Sequence, residues 1–141
     1  MIAIDTNILV YAFDTAYHEK RLTCQSLVKG IFGGLRIGVI TNQILAEFVS
    51  VVTKKIEKPI STDQARAIIE SILISENWKV INYNGEIIIK TLEHGKFNWD
   101  ILIAETLKSN GIKEIITEDI KGFKELGLEP LNPFDFSLQK L

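Results

Sequence analysis

Hydrophobic residues along the chain form short continuous runs, separated by longer stretches in which they recur every three or four positions. The runs at 2–4, 37–40 and 78–81 predict three buried strands, and 112–117 predicts a fourth. Residues 128–131 predict a fifth strand at an edge. The stretches between the strands have the spacing of helices that cover a sheet.

Polar capping residues and glycines indicate where the predicted helices begin and end. Thr41, Asn98 and either Ser61 or Thr62 can each cap a following helix. The predicted helices occupy 8–13, 18–32, 42–52, 62–73, 85–94, 99–110 and 119–126. Strands that alternate with helices predict an α/β fold, with a parallel sheet of four to five strands covered on both faces.

Length and composition restrict the class of protein. A chain of 141 residues suits one domain, 1–141, and 46% hydrophobic residues can form a substantial core. No apolar stretch approaches the ~18–20 residues that cross a bilayer, and the start of the chain does not resemble a signal peptide. The lone Cys24 excludes an internal disulfide, so we expect a cytoplasmic protein without a membrane partner. The net charge of −2 argues against a general nucleic-acid binder, but allows an enzyme whose acids are clustered.

Four acidic residues occupy positions at which acids can converge. Asp5 and Asp119 follow the first and fourth predicted strands, where ligands bind in parallel α/β sheets. Asp100 lies in the first turn of a helix, on the same stripe as apolar residues, and Glu47 borders the buried face of another helix. Each has an ordinary alternative, namely helix capping, a favourable helix-dipole position or an exposed helix edge. Together they predict a site for Mg²⁺ or Mn²⁺, because clustered carboxylates repel one another unless a cation neutralises them.

Four short motifs, in this order, resemble those of PIN-domain nucleases. They are the opening segment 1–7 (MIAIDTN), Ala46-Glu47-Phe48, the segment 99–104 (WDILIA) and Thr117-Glu118-Asp119. The resemblance spans nearly the whole chain, and the short form is similar to VapC-type toxins of toxin–antitoxin pairs. It implies a three-layer α/β/α sandwich and Mg²⁺- or Mn²⁺-dependent endoribonuclease activity.

The resemblance also assigns roles to residues. It makes Asp5, Glu47, Asp100 and Asp119 the metal-binding and catalytic acids. It makes Thr6, Asn7 and Thr117 residues that orient ligands or water. The implied mechanism is in-line attack by a metal-activated water, which leaves 5′-phosphate and 3′-hydroxyl ends; Glu47 or Asp119 is the candidate base. Glu118 competes with Asp119 for the fourth position, which the Thr-x-Asp pattern gives to Asp119.

Basic residues near the second motif are candidate contacts for RNA phosphates: Lys54, Lys55, Lys58 and Arg36. Their ordinary alternative is a solvated basic helix end. His18 and His94 are interpreted as solvated helix residues, and Cys24 as a filler without catalytic function.

The resemblance implies a homodimer held inactive by a cognate antitoxin. We expect apolar residues left uncovered on helices 18–32 and 61–77 to provide interfaces. Two alternatives stay open, namely a PIN nuclease of RNA processing without an antitoxin and a catalytically silent PIN-like binding protein. A haloacid-dehalogenase-like phosphatase is disfavoured by Asn7, and a receiver domain by the absence of an acid at Asn82-Tyr83.

Overall fold

The structure is a computed structural model that describes residues 1–136 and 141. Its sheet contains β1 (Ile2–Ile4), β2 (Gly38–Thr41), β3 (Trp78–Ile81), β4 (Glu114–Ile116) and β5 (Glu129–Leu131). The strands are all parallel, in the order β3-β2-β1-β4-β5. This confirms the predicted α/β/α fold with a parallel sheet, and places the fifth strand at an edge.

Seven helices are found in the described part of the chain. They are α1 (Thr6–Tyr11), α2 (His18–Phe32), α3 (Asn42–Lys54), α4 (Thr62–Ile74), α5 (Gly85–Leu92), α6 (Trp99–Ser109) and α7 (Ile120–Glu125). Their ends lie within two residues of the predicted ones. Thr41, Ser61 and Asn98 cap α3, α4 and α6, because each side-chain oxygen accepts a backbone N–H of the first turn.

The central position of β1 determines where the acids meet. All three residues of this strand are fully buried, as expected for a parallel strand covered on both faces. Ile4 lies opposite Ile116 of β4, and the backbone N–H of Asp5 donates to the carbonyl of Ile116 at 3.0 Å. The residues that follow these two strands, Asp5 and Thr117, are therefore neighbours at the carboxyl edge of the sheet.

A close contact between β2 and β3 explains one glycine. A Cβ atom on Gly38 would lie 2.7 Å from the ring of Trp78 and 2.8 Å from the side chain of Ile31. Glycine therefore lets these two side chains close over β2, the strand that leads into α3.

Several large apolar side chains remain uncovered in the described residues. On α4, Leu73 is 58% and Ile74 is 84% exposed, whereas α2 exposes Leu22 and buries Leu27 and Ile31. The expected apolar surface is thus found mainly at the end of α4. No helix in the described segments has the length and hydropathy needed to cross a membrane.

Candidate active site

All four predicted acids line one pocket of about 450 Å³ at the carboxyl edge of the sheet. The lining residues come from the loops and helix starts that follow β1 and β4, and from α3 and α6. They are Asp5, Thr6, Asn7, Glu47, Ser50, Val51, Lys55, Asp100, Asp119 and Phe123. Of the predicted orienting residues, Thr6 and Asn7 line this pocket, and Thr117 lies next to it.

Asp5 is held by two hydrogen bonds. Its Oδ1 accepts the backbone N–H of Thr6 at 2.8 Å, which makes Asp5 the cap of α1. Its Oδ2 accepts the hydroxyl of the buried Thr117 at 2.8 Å. Helix capping and membership of an acidic site were alternative predictions for Asp5. In the structure, Asp5 both caps α1 and lines the pocket.

Glu47 is also held from two sides. Its Oε2 accepts the hydroxyl of Thr6 at 2.8 Å, and its Oε1 accepts the side-chain amide of Gln43 at 2.7 Å. Gln43 lies one turn earlier on α3 and is buried. These bonds fix the carboxylate of Glu47 on the side of α3 that faces α1.

Asp100 lies in the first turn of α6, as predicted, but the residue is exposed. It is in helical register with the buried Ile103, Ala104 and Leu107, as predicted, but it lies in the first turn, at the end of that stripe. The buried positions begin at the next residue and include Ile103 and Ala104. The carboxylate of Asp100 therefore lies at the pocket rim, where α6 begins.

Asp119 caps α7. Its Oδ1 accepts the backbone N–H of Gly122 at 3.0 Å, and its own N–H donates to the Thr117 hydroxyl at 3.0 Å. A Cβ at Gly122 would be 2.8 Å from the carboxyl carbon of Asp119, so the absent side chain leaves room for this carboxylate.

Glu118 is directed away from the four acids. Its carboxylate accepts the hydroxyl of Tyr11 at 2.7 Å and the ammonium of Lys20 at 2.9 Å. Partial burial acts to raise the pKa of Glu118, but these two hydrogen bonds outweigh it and lower the pKa. The structure thus favours Asp119 over Glu118 as the fourth acid of the pocket.

Burial, helped by the charges of neighbouring carboxylates, raises the pKa values of two of the four acids. Burial raises the pKa of Asp5 to about 6, helped by the charges of Asp100 and Glu47 and opposed by its bonds from Thr117 and Thr6. Partial burial raises the pKa of Asp100, and the nearby charges of Asp119 and Glu47 act in the same direction. The pocket therefore carries a surplus of negative charge that favours cations and protons.

The donor chemistry of the pocket fits a hard divalent cation, because four carboxylates face one volume and Lys55 is the one basic side chain among its described lining residues. Within the described residues, however, no three His, Cys, Asp or Glu side chains are arranged closely enough to enclose an ion. The acids thus share a pocket without forming a closed coordination sphere.

The candidate RNA-contacting residues separate into two groups. Lys55 lines the acidic pocket, and Lys54 and Lys58 are exposed near it in sequence, at the end of α3 and beyond. Arg36 instead pairs with Glu114 at 2.8 Å. Since Glu114 begins β4, Arg36 lies at the amino edge of the sheet, opposite the acids, and the structure does not bring it to the pocket.

Neither histidine lies in the acidic pocket. His94 contacts Glu105 at 2.9 Å, and the Nδ1 of His18 lies 3.2 Å from the guanidinium of Arg21. Cys24 is fully buried, and burial raises the pKa of its thiol to about 12. A thiol with this pKa stays protonated at neutral pH and is not a nucleophile.

Sequence reasoning missed Gln43 and Ser50. Gln43 precedes Glu47 by four positions, so a polar residue on the otherwise apolar face of α3 was an available signal. Ser50 lies three positions after Glu47 and lines the same pocket. Helical spacing around a candidate acid could have identified both.

Comparison with known proteins supplies a family and a set of similar folds. The family model described as PIN domain matches residues 2–128. Among curated proteins, no sequence matches the chain.

Solved structures with a similar fold include VapC20 of Mycobacterium tuberculosis, a toxin that cleaves the sarcin–ricin loop. It is 13% identical, with a TM-score of 0.68 over 91% of this chain and 96% of that one. VapBC2 of Rickettsia felis, bound to a DNA fragment from its promoter, is 24% identical, with a TM-score of 0.59 over 94% and 98%. FitAcB of Neisseria gonorrhoeae is 17% identical, with a TM-score of 0.59 over 96% and 100%. At these identities the similarity shows the fold.

Proposed function

The chain belongs to the PIN domain family, and we propose that it is a divalent-metal-dependent endoribonuclease that acts as the toxin of a toxin–antitoxin pair. The observation that carries the nuclease proposal is the convergence of Asp5, Glu47, Asp100 and Asp119 on one pocket. Four carboxylates, two on helices α3 and α6 and two that follow strands β1 and β4, are unfavourable for stability unless a cation binds there. A silent binding protein has no need of this arrangement.

The four acids would hold Mg²⁺ or Mn²⁺. When bound, the cation supplies positive charge that activates a water and offsets the charge developing on phosphate oxygens. The hydroxyls of Thr6 and Thr117 fix the orientation of Glu47 and Asp5, each through a 2.8 Å bond. Lys55 lies at the same pocket and provides a contact for an RNA phosphate.

Of the two candidate bases, Glu47 and Asp119, the better proton acceptor is the one with a carboxylate oxygen that accepts no hydrogen bond. Both oxygens of Glu47 accept hydrogen bonds, from Thr6 and Gln43. Asp119 uses Oδ1 for the N–H of Gly122, whereas no described residue donates to its Oδ2. We therefore assign Asp119 Oδ2 as the acceptor of the proton from the attacking water, while the bond to the 3′-oxygen breaks.

The decisive test is cleavage of a mixed RNA pool by purified protein in Mg²⁺ or Mn²⁺, with and without excess EDTA. We expect cleavage that EDTA abolishes and that added Mg²⁺ restores. Asp5→Asn and Asp100→Asn should be inactive but folded, while His18→Ala and His94→Ala should remain active. Cleavage that persists in EDTA, or in either Asn variant, contradicts the assignment.

The toxin proposal is supported by the fold of VapC20 and VapBC2 and by the apolar residues at the end of α4, Leu73 and Ile74, which suit a protein interface. We propose a homodimer that binds a cognate antitoxin. Expression of the chain alone should arrest growth, and co-expression of the antitoxin gene should relieve the arrest. Cleavage without growth arrest would instead indicate an RNA-processing nuclease. Sedimentation that gives a 15.9 kDa species excludes the dimer.

A further inference from the structure

A second pocket, of about 440 Å³, adjoins the acidic one and shares Glu47 with it. Its walls include Gln43 of α3, Tyr83 after β3 and Trp99 at the start of α6. Trp99 is 56% exposed, although its neighbour Phe97 packs edge-on against it with ring centroids 5.2 Å apart. An exposed indole beside a candidate catalytic acid requires a separate explanation.

Gln43 provides independent evidence that this pocket takes a ligand. Its Nε2 donates to Glu47 Oε1 at 2.7 Å and to the carbonyl of Trp99 at 3.3 Å. Both partners are hydrogen-bond acceptors, so the atom that contacts them must be the amide nitrogen. The other terminal atom of the amide is therefore the oxygen, Oε1. This oxygen is buried, and no described residue donates to it. Buried acceptors are rarely left without a partner, so this one favours a donor, which reaches it once neighbouring side chains of the pocket shift.

We propose that this second pocket binds an unpaired nucleobase of the RNA substrate, adjacent to the phosphate that is cut. The base stacks on Trp99 and Tyr83, and, after a shift of the side chains that cover Gln43, an amino or imino N–H of the base donates to Gln43 Oε1. Proteins bind single-stranded RNA bases by stacking on aromatic rings in this way. The proposal rests on the proposed ribonuclease function and adds the recognition of one base to it.

The shared residue Glu47 connects recognition with catalysis. The side-chain amide of Gln43 donates to Glu47 and so orients a carboxylate of the acidic pocket. A base that hydrogen-bonds to this amide is therefore coupled to that carboxylate. The volume of the pocket lies within the range of roughly 300–1,000 Å³ in which small organic groups bind. A double-stranded RNA presents no free base here, so single-stranded loops are the expected substrates.

The test measures RNA binding separately from cleavage. Asp5→Asn protein in Mg²⁺ is titrated with a labelled single-stranded hexanucleotide and with a matched ribose-phosphate strand that lacks bases. Adding Trp99→Ala should weaken binding of the hexanucleotide by about tenfold or more and leave binding of the abasic strand unchanged. Trp99→Phe should retain most of the affinity, because it keeps an aromatic ring. Leu92→Ala, on α5 and 54% exposed, is the matched control and should bind like the parent.

Three results would overturn the proposal: equal affinity of the parent and Trp99→Ala, equal losses for both strands, or no RNA binding by the parent. Sedimentation of the same variants tests another occupant, a second copy of the chain. If Trp99→Ala dissociates a dimer that Leu92→Ala leaves intact, Trp99 lies in a self-interface and the base-binding proposal fails. Cleavage by the wild type is assayed separately. If the wild type cleaves RNA and Trp99→Ala does not weaken RNA binding, the base pocket is rejected and the ribonuclease function is not.

Discussion

The hydroxyl of Thr117 donates to Oδ2 of Asp5 at 2.8 Å, across 112 positions of sequence. The hydroxyl oxygen of Thr117 in turn accepts the backbone N–H of Asp119 at 3.0 Å. One buried hydroxyl therefore fixes the distance between the loop after β1 and the loop after β4. Its two bonds link two of the four acids of the pocket.

Replacing Thr117 by valine should remove both bonds while nearly keeping the shape of the side chain. We expect activity to fall by about 10- to 100-fold, and the free energy of unfolding to fall by about 1–3 kcal/mol. Thr91→Val is the matched control, because Thr91 is equally buried and donates to a helix carbonyl, that of Ile87. It should lower stability but not the activity of the folded protein, as measured by denaturant unfolding and RNA cleavage.

The adjacent acids Glu118 and Asp119 should respond differently to the loss of charge. Asp119→Asn is expected to reduce cleavage below about 1% of wild type, because it removes a pocket carboxylate and the assigned proton acceptor. Glu118→Gln should retain activity, since Glu118 bonds to Tyr11 and Lys20 away from the pocket. Cleavage rates of the two variants, measured in the same Mg²⁺ buffer, check the assignment. The reverse order of activities would transfer the function to Glu118.

Much of this architecture follows from local sequence, but the neighbours of each acid do not. Strand runs and caps such as Thr41 and Asn98 are local signals, and they predicted the elements within two residues. That β1 and β4 are adjacent is a long-range property, so the proximity of Asp5 and Asp119 could only be stated as conditional. Contacts such as Lys20 with Glu118 and Arg36 with Glu114 join distant segments and left no local pattern.

Gly122 should be required for the position of Asp119. An alanine there would place its Cβ against the Asp119 carboxylate, which must then move. We expect an activity loss of about 10- to 100-fold with little loss of helix stability, since alanine is a better helix former than glycine. Gly85→Ala, at a position where a Cβ has no neighbour within 4 Å, is the control and should be fully active. An active Gly122→Ala enzyme would show that Asp119 tolerates displacement.

The raised pKa of Asp5 predicts how stability depends on pH without metal. Its pKa is about 6 in the folded protein against 3.8 for an ordinary Asp, so the fold favours the protonated form. This contribution is complete below pH 3.8 and is lost as the pH rises through 6, by at most about 3 kcal/mol.

Other groups titrate over the same range, so Asp5→Asn is the reference. In EDTA, the wild type should lose stability relative to Asp5→Asn between pH 4 and pH 8, as measured by urea unfolding. Mg²⁺ should stabilise the wild type more at pH 8 than at pH 5, because protons compete with the cation. A constant difference between the two proteins across this range would contradict the shift.

Substitutions of Lys55 and Arg36 should distinguish a residue that binds RNA from one that forms only a structural ion pair. Lys55→Ala is expected to weaken RNA binding for all sequences and to reduce the slope of log K against log salt by about one. Arg36→Ala should not affect binding. Its loss of the partly exposed pair with Glu114 should cost less than about 1 kcal/mol of stability. Anisotropy titrations at several salt concentrations check both, and a changed slope for Arg36→Ala would place it in the RNA interface.

The position of β1 between β2 and β4 has a consequence for the order of synthesis. The ribosome makes β1 and Asp5 before the other strands of the sheet, whereas Thr117 and Asp119 emerge only after β4. A nascent or truncated chain that ends before residue 117 lacks the hydroxyl that holds Asp5 and the acid that completes the pocket. The acidic pocket is thus assembled only when translation of the sheet is nearly finished.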